Sequence, residues 1–147
     1  GPQEETLRLR ARQGELSDRF LLTGFTKDVP AMLAAMDLYV APAARSAAPT
    51  SMLEAMSCGL PVLATRGEPC AEVIRDGHNG LLFDDDDLEG LAALVAELAA
   101  DDRRREELGQ RARAHVMEHH CTSAVAPRYG QIYRRLVKRY GQVPARE

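Results

Sequence analysis

Four short runs of this chain have unbroken apolar interiors: Arg19-Phe20-Leu21-Leu22-Thr23, Leu38-Tyr39-Val40-Ala41, Pro61-Val62-Leu63-Ala64-Thr65 and Gly80-Leu81-Leu82-Phe83. A strand with one face in water alternates apolar and polar side chains. A strand that does not alternate needs cover on both faces, the signature of a parallel sheet layered between helices. The segments between the runs have helical character, which predicts βαβ units. The expected fold is therefore an α/β, doubly wound, Rossmann-like parallel sheet with helices on both faces. Four strands are few for that architecture, so the chain is expected to begin partway through a domain.

The helices are legible from caps and spacing. Residues Glu4 to Gln13 read as the first. Asp28 is a good N-cap with Pro30 in the first turn behind it, and Met32, Leu33 and Met36 share a face. Thr50 or Ser51 starts a helix through Met56, stopped by Gly59 and Pro61. A short helix is expected from Ala71 to Arg75, followed by the turn dipeptides Asp76-Gly77 and Asn79-Gly80. Asp86 or Asp87 caps a helix to about Ala100, with Leu88, Leu91, Leu94, Val95 and Leu98 at helical spacing. Two more helices are expected over 103–118 and 123–140.

Composition narrows the function. A formal charge of −3 over 147 residues lacks the Lys/Arg excess of a nucleic-acid binder. No apolar run approaches the ~18 residues that span a bilayer, and the polar start Gly1 to Glu5 reads as no signal peptide. Cys58, Cys70 and Cys121 form no ligand pattern, and an odd count suits reduced thiols in the cytoplasm.

In open α/β sheets ligands bind beyond the carboxyl ends of the strands. Three segments reach that edge: Gly24-Phe25-Thr26, Pro42 to Ser51, and Arg66 to Ala71. The middle one runs through small residues, Ala43 to Pro49, directly into a helix. Small side chains admit a ligand to the backbone, and the free N–H groups and dipole of a helix start favour phosphate. Glu54, one turn inside, has the chemistry to accept two hydrogen bonds from a ribose diol. Ser51-Met52-Leu53-Glu54 also reads as a capping box, with Glu54 capping the backbone at Ser51.

The run Pro49-Thr50-Ser51-Met52-Leu53-Glu54-Ala55-Met56-Ser57-Cys58-Gly59-Leu60-Pro61-Val62 resembles the core motif of the family-4 retaining glycosyltransferases. Asp28-Val29-Pro30 with Ala34-Ala35-Met36-Asp37, and Glu72-Val73-Ile74 with Asp76-Gly77 and Asn79-Gly80, match further family segments in order. The resemblance runs from about Gly1 to Tyr140. It implies the GT-B architecture of two Rossmann-like domains, with residues 1–147 as the C-terminal, nucleotide-sugar-binding domain, N-terminally truncated. The first strands of that domain and the acceptor domain would lie upstream. The implied activity is hexosyl transfer from a nucleoside diphosphate sugar to a glycan or lipid-linked acceptor, with no metal and no other cofactor. The isolated chain is expected to be inactive, because the family's diphosphate-neutralising Arg and Lys belong to the upstream part.

By the same resemblance Glu54 binds the ribose hydroxyls, as the second Glu of the family's E-x7-E motif. Thr50 and Ser51 turn their backbone N–H groups to the diphosphate and sugar, and Thr26 lies beside the base. Ser46 stands where the family has its first, sugar-contacting Glu, and brings no charge. That departure supports a rival reading: a non-catalytic nucleotide-sugar-binding or scaffold module.

Other signals read as structure. Asp84 to Asp87 is expected to be a solvated turn and cap, His119-His120 a surface pair at a helix end, and His78 solvent-facing. His115 and His119 stand four apart, a spacing also compatible with a metal. Arg134, Arg135, Lys138 and Arg139 form a basic stripe, solvated by default, with peripheral contact to anionic lipid as the functional alternative. In the family the helix over 123–140 braces the N-terminal domain, here through Ile132, Leu136 and Tyr140.

Overall fold

A computed structural model describes residues 3–14, 16, 18–42, 50–67 and 69–141. The order of elements is α1 (Glu4–Gln13), α2 (Val29–Ala34), β1 (Tyr39–Ala41), α3 (Thr50–Ser57), β2 (Val62–Thr65), α4 (Cys70–Val73), β3 (Leu81–Phe83), α5 (Leu88–Ala100), α6 (Asp102–His119) and α7 (Thr122–Tyr140). The chain divides into two compact units, Gly1–Met32 and Leu33–Glu147.

The second unit is a three-stranded parallel sheet in the order β1-β2-β3, flanked by helices. Register runs from Tyr39↔Val62 to Ala41↔Ala64, and from Leu63↔Leu81 to Thr65↔Phe83. Every residue of β2 and β3 is buried. Leu63, Leu81 and Phe83 pack with Leu98 of α5 and Leu108 of α6. Val62 and Ala64, pointing the other way on a period of two, are equally inaccessible. The solid apolar runs thus mark a sheet covered on both faces.

Two glycines set the close packing. Gly59, at φ +80°, ends α3 in the left-handed region as a helix C-terminus commonly does. Gly109, in the middle of α6, lies against it. A Cβ at Gly109 would come within 2.9 Å of the Gly59 carbonyl carbon and closer still to its oxygen. The Arg113 guanidinium donates to the Ser57 carbonyl, satisfying one of the last carbonyls of α3.

The outer edge of β3 is occupied by side chains. The Leu82 N–H donates to Asp76 Oδ1 at 2.9 Å, and Arg66 Nη2 donates to the Leu82 carbonyl at 3.2 Å. Arg66 also pairs with Asp76 at 2.8 Å and with Asp84 at 3.2 Å. An edge whose backbone groups are already engaged offers no template to another strand. Burial alone would push the Asp76 carboxyl up, but hydrogen bonds from Leu82 and Arg66, with the Arg66 charge, hold it below the usual 3.8. The carboxylate form is therefore favoured by folding, and its contribution is present above pH 3.8 and lost as pH falls through the lower folded value. Asp76→Ala is expected to cost about 1–2 kcal/mol near neutrality, the order of one lost hydrogen bond plus an exposed orphan. Asp76→Asn is expected to flatten the stability profile below pH 3.8, as measured by urea unfolding. An unchanged acid limb would remove Asp76 from the edge.

The edge of β1 away from β2 has no strand partner among the described residues. The run Arg19–Thr23 is not a strand, contrary to expectation. It follows a turn in which the N–H groups of Arg19 and Phe20 both reach the Leu16 carbonyl. A strand exists only through its ladder, and no ladder forms here. Leu21 and Phe25 are left 82% and 91% exposed. Concentration-dependent self-association of the chain follows from these surfaces. Sedimentation showing monomer alone across a wide concentration range would count against it.

The remaining differences are small. α2 stops at Ala34, so Met36 falls outside it, half-exposed. α4 starts at Cys70 and ends at Val73 rather than covering 71–75. Asp28 caps α2 through Ala31 N–H at 3.1 Å, and Asp87 caps α5 through Gly90 N–H at 2.8 Å, both in the expected roles.

Candidate functional site

The site is assembled on α3. The helix period turns Met52, Ala55 and Met56 into the core, where each is at most 1% exposed. The same period leaves Thr50, Ser51 and Glu54 together on the exposed side. α3 follows β1 in the chain, so its N-terminus belongs to the carboxyl-end edge of the sheet. The first-turn N–H groups of an α-helix lack intrahelical acceptors and carry the positive end of the dipole, which suits an anion.

The Glu54 carboxylate has no hydrogen-bond partner among the described residues. Its backbone carbonyl is engaged instead, accepting from Cys58 N–H at 3.1 Å and Ser57 Oγ at 2.7 Å. The capping-box reading fails on geometry. Ser51 is already helical, because α3 starts at Thr50, whereas an N-cap residue has non-helical backbone. What remains is an exposed carboxylate one turn from a helix start, free to accept from a diol.

Thr26 lies in the first unit, and Thr50, Ser51 and Glu54 lie in the second. Thr26 Oγ1 accepts from Asp28 N–H at 3.1 Å, so the hydroxyl helps to turn the chain into α2. Ser46, with the small-residue loop Ala43 to Pro49, lies outside the described residues.

Sequence reasoning passed over Thr65, which ends β2 at the same edge of the sheet. It is 1% exposed, and its hydroxyl has no hydrogen-bond partner among the described residues. The only hint in the sequence is a hydroxyl closing an apolar strand. His119 and His120 lie at the end of α6, His120 exposed, as expected of a helix-end pair. The His115 ring, four residues earlier, completes a group of three imidazoles with ring centroids 4.7, 5.4 and 6.4 Å apart. Burial, then the neighbouring imidazoles and Arg75, pushes His115 below the ordinary range. Among the described residues no three His, Cys, Asp or Glu side chains are placed to hold a metal ion. Asp84 and Asp87 serve the ion pair with Arg66 and the α5 cap. All three cysteines are free thiols, Cys70 buried and Cys58 exposed. No helix among the described residues is long and apolar enough to cross a membrane.

Comparison with known proteins adds an independent finding. A model of the family described as glycosyl transferases group 1 matches residues 1–115. The N-acetyl-alpha-D-glucosaminyl L-malate synthase of Bacillus anthracis is 31% identical over 133 residues, 90% of this chain and 35% of its own length. The lipopolysaccharide core biosynthesis glycosyltransferase LpsE of Rhizobium meliloti (strain 1021) is 30% identical over 132 residues, 90% of this chain and 39% of its own. The chain thus spans little more than a third of these relatives. Among solved structures, sucrose-phosphate synthase from Thermosynechococcus elongatus matches with a TM-score of 0.87 at 25% identity, covering 94% of this chain and 35% of that one. The Anabaena protein HepE, in complex with UDP and glucose, shares the fold with a TM-score of 0.83 at 23% identity, covering 90% of this chain and 36% of its own.

Proposed function

The chain belongs to the glycosyl transferases group 1 family, and from that premise we propose that it is the donor-binding part of a family-4, retaining, GT-B glycosyltransferase. The whole protein transfers a hexose from a nucleoside diphosphate sugar to a glycan or lipid-linked acceptor. The observation that carries the reading is the free Glu54 carboxylate on the exposed side of α3, beside Thr50 and Ser51.

The division of labour follows from charge. Glu54 accepts from both ribose hydroxyls and fixes the nucleoside. The N–H groups at Thr50 and Ser51, with the α3 dipole, face the diphosphate, on which negative charge grows as the glycosidic bond breaks. No metal takes part, so the rest of that charge falls to cationic side chains upstream of this chain, and the isolated chain is inactive. By the family resemblance, the base contact is assigned to Thr26. Ser46 hydrogen-bonds a donor hydroxyl without supplying the charge of the family's Glu.

α7 carries a continuous exposed stripe of Ile132, Tyr133, Leu136 and Tyr140. In this reading it braces the acceptor domain, while Arg134, Arg135, Lys138 and Arg139 provide peripheral contact with an anionic membrane from the cytoplasmic side. One observation favours a second reading, a non-catalytic nucleotide-sugar module: Ser46 in place of the carboxylate.

An NMR titration of the chain with UDP, GDP and ADP tests the donor site. Specific shifts near Ser51 and Thr26 with one nucleotide support it and identify the base. Absence of shifts with all three rejects donor binding by this chain.

A further inference from the structure

Two polar side chains are fully buried among the described residues, Thr65 and Asn79, and they differ in one respect. Asn79 is satisfied at both ends of its amide: Oδ1 accepts from Arg75 N–H at 2.6 Å, and Nδ2 donates to the Val73 carbonyl at 3.1 Å. The Thr65 hydroxyl has no partner among the described residues. A buried hydroxyl left unpaired is destabilising, and each such group in a folded chain calls for a reason. Valine has nearly the same shape, prefers strands, and would carry no such penalty. Threonine at this position is therefore not explained by stability.

The position supplies a reason. Thr65 is the last residue of the central strand β2, at its carboxyl end. Ala41 pairs with Ala64, so Thr65 lies one step beyond the end of β1, where the chain departs toward α3. Its neighbours across the sheet are fixed: Thr65 is in register with Phe83, whose carbonyl accepts from Arg66 N–H at 2.6 Å. A hydroxyl held on a rigid strand at the ligand-binding edge is preorganised for a partner that arrives with the ligand.

We propose that Thr65 is a positioning residue of the donor site, whose hydroxyl takes up its missing hydrogen bond when a nucleoside diphosphate sugar occupies the carboxyl edge of the sheet. The proposal rests on the donor-binding reading above. It trades stability of the free chain for affinity, as functional sites commonly do.

The test compares the unsubstituted chain, Thr65→Val and Thr65→Ser for thermal midpoint and for affinity toward UDP, GDP and ADP. Thr65→Val is expected to raise the midpoint by about 2–4 °C, the gain from removing an unpaired hydroxyl. It is also expected to weaken nucleotide binding about three- to tenfold, the value of one hydrogen bond. Thr65→Ser keeps the hydroxyl and loses a methyl group, so its midpoint falls while its affinity stays within about twofold of the original. This opposite movement of stability and affinity is not the signature of a packing residue. Unchanged affinity in Thr65→Val, or equal weakening in both variants, overturns the proposal. Failure of the unsubstituted chain to bind any nucleotide overturns the donor reading itself, and the proposal with it.

Discussion

Glu54→Ala is expected to weaken nucleotide binding about a hundredfold and to leave stability unchanged. A hydrogen bond to a charged group contributes roughly 1.5–3 kcal/mol, and the carboxylate accepts two from the ribose in the proposed arrangement. The lower end of that range already amounts to about 3 kcal/mol, or a hundredfold in affinity. Stability should stay within about 0.5 kcal/mol, because Glu54 is exposed and its carboxylate has no partner among the described residues. Glu54→Gln, which keeps one acceptor oxygen and loses the charge, should fall between. Calorimetric titration against denaturant unfolding separates the two effects. Equal affinity in Glu54→Ala would place the ribose elsewhere, and a large loss of stability would mean that the carboxylate serves the fold.

Gly109→Ala should destabilise the chain by about 1–2 kcal/mol net, against the direction of helix propensity. Propensity favours alanine over glycine in a helix interior by about 1 kcal/mol. Sterics oppose it more strongly. The new Cβ would stand within 2.9 Å of the Gly59 carbonyl carbon and closer to its oxygen. Both are backbone atoms of a left-handed turn, which cannot swing aside as a side chain does. α6 must then back away from α3, opening the layer where Leu108 and Ala112 are almost wholly buried. Overpacking of this kind costs about 1–3 kcal/mol, occasionally more. Urea unfolding gives the answer directly, and a variant as stable as the original would show that α6 and α3 are not in contact at this point. The same approach explains why an isolated glycine sits inside an otherwise regular 18-residue helix, a sign present in the sequence without any indication of its partner.

Much of the candidate site was legible before the fold. The helical period alone places Met52, Ala55 and Met56 opposite Thr50, Ser51 and Glu54, and a helix start after an apolar strand lies at the carboxyl edge where ligands of open α/β sheets bind. Spacing left two roles open for Glu54, and only the observed start of α3 at Thr50 removed the capping box. Thr65 was not legible, because its significance is the absence of a partner in three dimensions.

The sequence by itself determined the layered α/β arrangement, the positions of the three strands that pair, the stop at Gly59 and the cap at Asp28, and it narrowed the α5 cap to Asp86 or Asp87. These depend on residues adjacent in the chain: the period of burial, the φ of a glycine, the reach of an aspartate to a nearby N–H. Tertiary structure alone decided that Arg19–Thr23 is not a strand, that Asp76 and Arg66 close the edge of β3, and that Gly109 meets Gly59. Each of these depends on a partner outside the local segment, or on the lack of one. An apolar run states only that it can be a strand. Whether it becomes one is decided by the backbone that comes, or fails to come, alongside it.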